Sequence, residues 1–143
     1  MATKLNVAPA LSVPFKTTTT IGATATVAAY FDTSKYPLDA LWFEAKVTAV
    51  YSDGSKAAAY WLVGLFRVAS TGIATQVGST ASVIAALEDT AGMDCTLAVG
   101  TPANSGSGTG TSNTEIQLTV TGVAVTEINW LIDTTIRHAP FSK

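Results

Sequence analysis

Apolar and polar residues alternate along most of this chain of 143 residues. Over residues 40–51, Leu41, Phe43, Ala45, Val47, Ala49 and Tyr51 share one face of an extended backbone, and Trp42, Glu44, Lys46, Thr48 and Val50 share the other. Successive side chains of a strand point to opposite faces, so this period of two predicts a half-buried strand. The same period appears in residues 17–31 (Ile21, Ala23, Ala25, Val27, Ala29), 94–99 (Cys95, Leu97, Val99), 114–121 (Ile116, Leu118, Val120) and 125–136 (Ile128, Trp130, Ile132, Thr134). Residues 57–69 are apolar at both parities and predict a central strand. A short strand is expected over 73–77. Residues 81–87 fit strand or helix, and the turn residues on either side favour strand.

The punctuation between these runs is that of an all-β protein. Ser52-Asp53-Gly54-Ser55 separates two strand patterns, and Asp-Gly in that setting predicts a hairpin closed by a type I′ turn. Residues 32–39, Thr71-Gly72, Gly78, residues 88–92 and Gly122 supply further turns. About eight strands then recur at intervals of roughly 8–15 residues with no amphipathic helix between them, which predicts an antiparallel β-sandwich, jelly-roll-like or Greek-key. Residues 1–16 hold Pro9 and Pro14, which remove backbone donors, and read as an extended arm. Its apolar residues Leu5, Val7, Leu11, Val13 and Phe15 lie at alternate positions and give it one apolar edge to lay along a neighbouring subunit. The expected organisation is an arm over 1–16, one sandwich domain over 17–143 with a Gly/Ser/Thr loop at 100–113, and a tail from Arg137 onward.

Composition alters this picture in one respect. Charged residues make up 13% of the chain, against about 25% in an ordinary soluble domain. Part of the surface is therefore expected to be covered, by a homo-oligomer or a larger assembly. A net charge of −2 with eight scattered Lys and Arg excludes a sequence-independent nucleic-acid binder, which needs a basic patch. A single cysteine, Cys95, excludes a disulfide framework and a cysteine-based zinc site. The longest apolar stretch, residues 57–66, falls far short of the ~20 residues of a membrane-spanning helix. The N-terminus lacks the continuous apolar core of a signal peptide, so synthesis in a cytoplasm and no membrane partner are expected.

Candidate chemistry is sparse. Cys95 and His138 are the one thiol–imidazole combination, but Cys95 falls on an apolar strand face, where cysteine is usually inert. Glu88, Asp89 and Asp94 gather around a turn in a spacing that matches no cation-binding loop. Ten acidic residues always allow some pair, so no glycosidase pair stands out. The glycines of 100–110 lack the lysine and following helix of a phosphate cradle. Trp42, Tyr60, Trp61 and Trp130 could form a ligand platform, yet aromatics on alternating strands more often serve core or interface. Trp42, opposite the apolar face of its strand, and Trp61 are the interface candidates. No catalytic, cofactor-binding or metal residue is assigned, and the chain reads as a non-enzyme.

Several of these residues carry a resemblance. The stretch FEAKVTAVYSDGSKAAAYWLVGLFRV, with Ala59-Tyr60, Arg67, Val77-Gly78, Glu88-Asp89, Asp94, Val120-Thr121-Gly122 and Ile128-Asn129-Trp130, resembles a small β-sandwich module of tailed-bacteriophage virion proteins. The module occurs in fibre proteins and in short stand-alone structural proteins. The resemblance covers roughly residues 17–136 and departs from the pattern at Met93, where an aromatic is usual, and in the long Gly/Ser/Thr loop. It implies a virion location, reached by assembly in the host cytoplasm. It implies first a capsid decoration (cement) protein that binds the major capsid protein, commonly as a trimer. The alternative it implies is a tail-fibre or receptor-binding module contacting the host surface.

Overall fold

The computed structural model of the chain describes residues 3–5, 11–78, 82–101 and 113–139. These form ten strands: β1 (Thr3–Leu5), β2 (Leu11–Ile21), β3 (Ala25–Asp32), β4 (Ala40–Tyr51), β5 (Ala57–Val68), β6 (Ala74–Gln76), β7 (Ser82–Glu88), β8 (Asp94–Gly100), β9 (Glu115–Thr121) and β10 (Glu127–Ala139). One sheet runs β1-β3-β9-β8. The other runs β2-β10-β4-β5-β6, with β7 also pairing with β5. All pairings are antiparallel except β1 with β3, which is parallel. Among the described residues no helix is long and apolar enough to cross a membrane.

The alternating pattern translates directly into burial. In β4, Leu41, Phe43, Ala45, Val47 and Ala49 are all buried while Trp42, Lys46, Thr48 and Val50 are exposed. Tyr60, Leu62 and Phe66 of β5 and Ile128, Trp130, Ile132 and Ile136 of β10 face the same core. Phe31, Leu97, Ile116, Leu118 and Val120 meet them from the four-stranded sheet. Fully burying each large side chain contributes about 1.5–3 kcal/mol. The sheets approach closely at Gly64, where a Cβ would lie 2.8 Å from Phe66 Cε2 and 3.2 Å from Leu97 Cδ2. Trp130 anchors the core. Its Nε1 donates to Thr20 Oγ1 at 2.8 Å, and its ring stacks on Tyr60 with centroids 6.3 Å apart. An indole N–H buried this deeply needs an acceptor, and β2 supplies it.

The all-β sandwich predicted from the sequence is the observed architecture, and β5 lies inside its sheet as expected. Four local expectations are corrected. The single strand expected over 17–31 is two strands in different sheets, because Gly22 takes φ +88 and turns the chain from one layer to the other. The period of two continues through this corner, so the pattern alone does not mark it. The tail expected from Arg137 is the last turn of pairing in β10, where Arg137, His138 and Ala139 oppose Trp42, Leu41 and Ala40. The hairpin at residues 52–55 is not type I′. Gly54 has φ +72, but Asp53 is not among the positive-φ residues, and Tyr51 N–H donates to Lys56 C=O across a four-residue turn. Asp53 instead accepts from Ser55 N–H at 2.9 Å, a side-chain turn that serves a longer loop. Finally, β5 is apolar on both parities but buried on only one, so Trp61 and Leu65 face outward.

The segment expected as an arm contributes pairing to both sheets. Thr3, Lys4 and Leu5 oppose Ala29, Tyr30 and Phe31, and Leu11, Ser12, Val13 and Lys16 oppose Ile136, Thr135, Thr134 and Ile132. Most of the Gly/Ser/Thr loop, residues 102–112, lies outside the described residues.

Candidate interaction surface

The outward face of the six-stranded sheet is the distinctive surface of the molecule. Outward parity on β4, β5 and β10 places Trp42 (42% exposed), Trp61 (38%), Leu65 (38%), Val50 (39%) and Leu131 (39%) together on it. The register fixes their neighbours: Trp42 lies opposite Leu65, and Leu131 lies opposite Thr48. Leu87, 68% exposed on β7, lies opposite Ala59. The outer positions of the four-stranded sheet differ in kind. Thr96, Ala98, Gln117, Thr119 and Thr121 are small or polar and suit solvent.

Trp61 is held in place by its polar edge. Its Nε1 donates to Glu44 Oε1 at 2.9 Å, and Lys46 Nζ lies 5.3 Å from the ring centroid. Lys46 and Glu44 approach to 3.9 Å, an exposed pair that contributes little energy but orients both side chains. Beside the ring a shallow groove of about 220 Å³ is lined by Lys46, Thr48, Ala59, Trp61 and Leu87. It continues toward Ala57, Glu88 and Asp89. Both carboxylates there have local work: Glu88 Oε1 accepts from Tyr60 Oη at 2.8 Å, and Asp89 Oδ2 accepts from Ala57 N–H at 2.9 Å. Burial, reinforced by Glu88, raises the Tyr60 phenol above its ordinary range.

Charge on this face is separated along the strand direction. Arg67 and Arg137 stand outward at the end where Ala40 opposes Arg67 and Trp42 opposes Arg137. Glu127, which opposes Ile21, stands at the other end, with Asp53 in the adjoining turn and Asp89 beside Ala57. Glu44, Lys46 and Asp133 occupy the middle, Lys46 directly opposite Asp133.

The residues singled out from sequence do not converge on one place. Trp42 and Trp61 share the outer face. Leu5 belongs to the four-stranded sheet, Leu11, Val13 and Phe15 to the β2 edge of the other, and Val7 lies outside the described residues. Tyr60 and Trp130 are core. Leu65, Leu87 and Leu131 join the surface without having been singled out. Their signal was there in the sequence, as apolar residues at the same parity as Trp61 or Asn129.

The thiol and the imidazole stand at opposite ends of the sandwich, with Cys95 opposite Val120 and His138 opposite Leu41. Burial and, secondarily, Asp94 push the Cys95 thiol up to about 12, which leaves it protonated and unreactive near neutrality. His138 Nδ1 is 3.1 Å from Asp39 Oδ2 and its ring meets Tyr36 edge-on, which ties the loop before β4 to the end of β10. Asp94 Oδ1 accepts from Cys95 N–H. Among the described residues no group of three His, Cys, Asp or Glu is gathered as metal ligands.

No protein-family model matches the chain, and no curated protein matches it. Two solved structures do. The tailspike protein of the Acinetobacter phage vB_ApiP_P1 aligns at 15% identity and a TM-score of 0.48, over 87% of this chain and 22% of its own. The tailspike protein of the Acinetobacter baumannii phage AM24 aligns at 9% identity and a TM-score of 0.49, over 90% of this chain and 26% of its own. This chain therefore spans about a quarter or less of either protein, and likeness at that level carries no argument about activity.

Proposed function

We propose that this chain is a structural module of a bacteriophage virion, of the tail-fibre or receptor-binding kind. It works by packing and contact, without catalysis. The phage setting rests on the residue pattern from Ala59-Tyr60 to Ile128-Asn129-Trp130. The observation that carries the mode of action is the contrast between the two sheets. One presents a threonine-rich outer surface, and the other presents two half-exposed tryptophans and three leucines over several strands. An apolar surface of that breadth marks an interaction site. Fibre-type assembly is preferred over shell decoration because the face separates opposite charges to its two ends, a layout that a neighbouring module of the same kind can match.

The test is a reconstruction of the virion that locates and counts this chain, combined with binding of the purified protein to host cells. A tail position with few copies and cell binding is expected. Many copies spread over the head would reject the tail reading in favour of a cement protein, for which the low overall charge and the same apolar face also speak. Absence from purified particles would reject both.

A further inference from the structure

We propose that the outer face of the six-stranded sheet packs against the same face of a second copy, with the strands of the two copies reversed end for end. The pairing names the partner of the face on which the proposed function rests. A two-fold axis lying between the sheets and perpendicular to the strands keeps each strand over its own counterpart and exchanges the two ends. Arg137 at one end of β10 then lies over Glu127 at the other end of the partner's β10. That axis crosses β10 at Ile132, β4 at Val47 and β5 at Tyr60, so Arg67 of β5 lies over the partner's turn at Asp53, which leads into β5. Each dimer makes both contacts twice, as a self-complementary interface requires. Trp61, next to Tyr60 at mid-strand, falls close to the axis, so the two indoles meet there, and Trp42 lies over the partner's turn at Ser52.

The area suffices. Four neighbouring strands, β2, β10, β4 and β5, are about a dozen residues long, and the shorter β6 and β7 flank β5; at about 4.8 Å between strands they present roughly 800 Å², about what each partner of a stable complex buries. Trp61 supplies the aromatic element common at the centre of such an interface, and Glu44, Lys46 and Asp133 beside it bring both signs of charge to the middle of the face. This arrangement is two-fold, where the resemblance implied a trimer. Separated charge also disfavours the parallel alternative, in which the arginines of both copies would stack on one another.

Sedimentation equilibrium of the full chain at micromolar concentration tests the pairing. A dimer is expected. Arg137→Glu and Glu127→Arg each weaken it about tenfold, since each dimer loses two exposed ion pairs, and the double variant R137E/E127R recovers most of the loss. Trp61→Glu at the axis abolishes association. A chain that stays monomeric at about 50 μM (tighter interfaces of this size run well below that), a trimer, or a double variant no tighter than the singles overturns the proposal. The two charge variants are fully surface-borne, so they decide the matter even where W61E fails to fold. Sedimentation and virion location are separate readouts: a monomer sinks the pairing alone, whereas absence from particles counts against the proposed function and leaves the dimer standing.

Discussion

The hydrogen bond between Trp130 and Thr20 joins β10 to β2 inside the core. Thr20 is 3% exposed and Trp130 1%, so neither group can turn to water when its partner is lost. Thr20→Val keeps the shape of the side chain and removes the acceptor. The indole N–H is left buried and unpaired, at a cost of about 1–3 kcal/mol. Trp130→Phe removes the donor and part of the ring that stacks on Tyr60. It leaves a void as well as an orphaned hydroxyl, and about 2–4 kcal/mol is expected. The double variant has no polar group left to orphan. Its loss is therefore smaller than the sum of the singles by about 1–2 kcal/mol, the coupling energy of the pair. Urea or guanidinium unfolding of the four proteins, followed by Tyr and residual Trp fluorescence, reads all four corners of the cycle. For a chain this size each kcal/mol is also about 3–4 °C in Tm. Additivity within about 0.5 kcal/mol would refute the reasoning, since it would mean that the two groups do not depend on each other.

Other expectations follow from single features. Gly64→Ala places a methyl 2.8 Å from the Phe66 ring and 3.2 Å from Leu97, and overpacking between the sheets costs about 1–3 kcal/mol in the same unfolding assay. Val125 is fully exposed with φ +54. A β-branched residue is strained there, so Val125→Gly is neutral or stabilising by up to about 1 kcal/mol, whereas Gly54→Ala at φ +72 destabilises by about 1 kcal/mol; the reverse order of Tm values would contradict this. Folding raises the Cys95 thiol from 9.0 to about 12. The native state then holds a proton the unfolded state releases, so stability falls as pH rises from about 9 toward 12. Cys95→Ala flattens that decline, and an unchanged pH profile of stability would show that the thiol is not buried as described. In native protein at pH 8, Cys95 reacts with iodoacetamide far more slowly than after denaturation.

The strands themselves were legible because their burial is one-sided. In β4 the parity of Leu41, Phe43, Ala45 and Val47 is also the boundary between core and surface, so the residue order alone separates inside from outside. The candidate surface was half legible by the same logic. Trp42 lies opposite the core face of its own strand, and it is exposed. Trp61 lies in a run apolar at both parities, where the sequence cannot tell a strand buried twice from one that presents an apolar face outward. Among the described residues no third layer covers β5, and Trp61 and Leu65 stand half-exposed on it, which decides between these.

What the sequence by itself determined was the class of fold and the inward residues. Both depend on near-neighbour periodicity along one strand, which the backbone geometry imposes wherever the strand ends up. What the tertiary structure decided was everything that depends on pairing distant segments. The corner at Gly22 sends β2 and β3 to different sheets. Residues 11–16 and 137–139 become ladder partners of β10 and β4, and Arg67 and Arg137 come to share one end of a face whose other end holds Glu127. Register between strands is fixed by packing across the core and by turn geometry, and neither is encoded in the alternation of a single strand. The surface proposed to carry this protein's function is built from four strands spread between residues 42 and 137, so its existence is a property of the sheet order and not of any one motif.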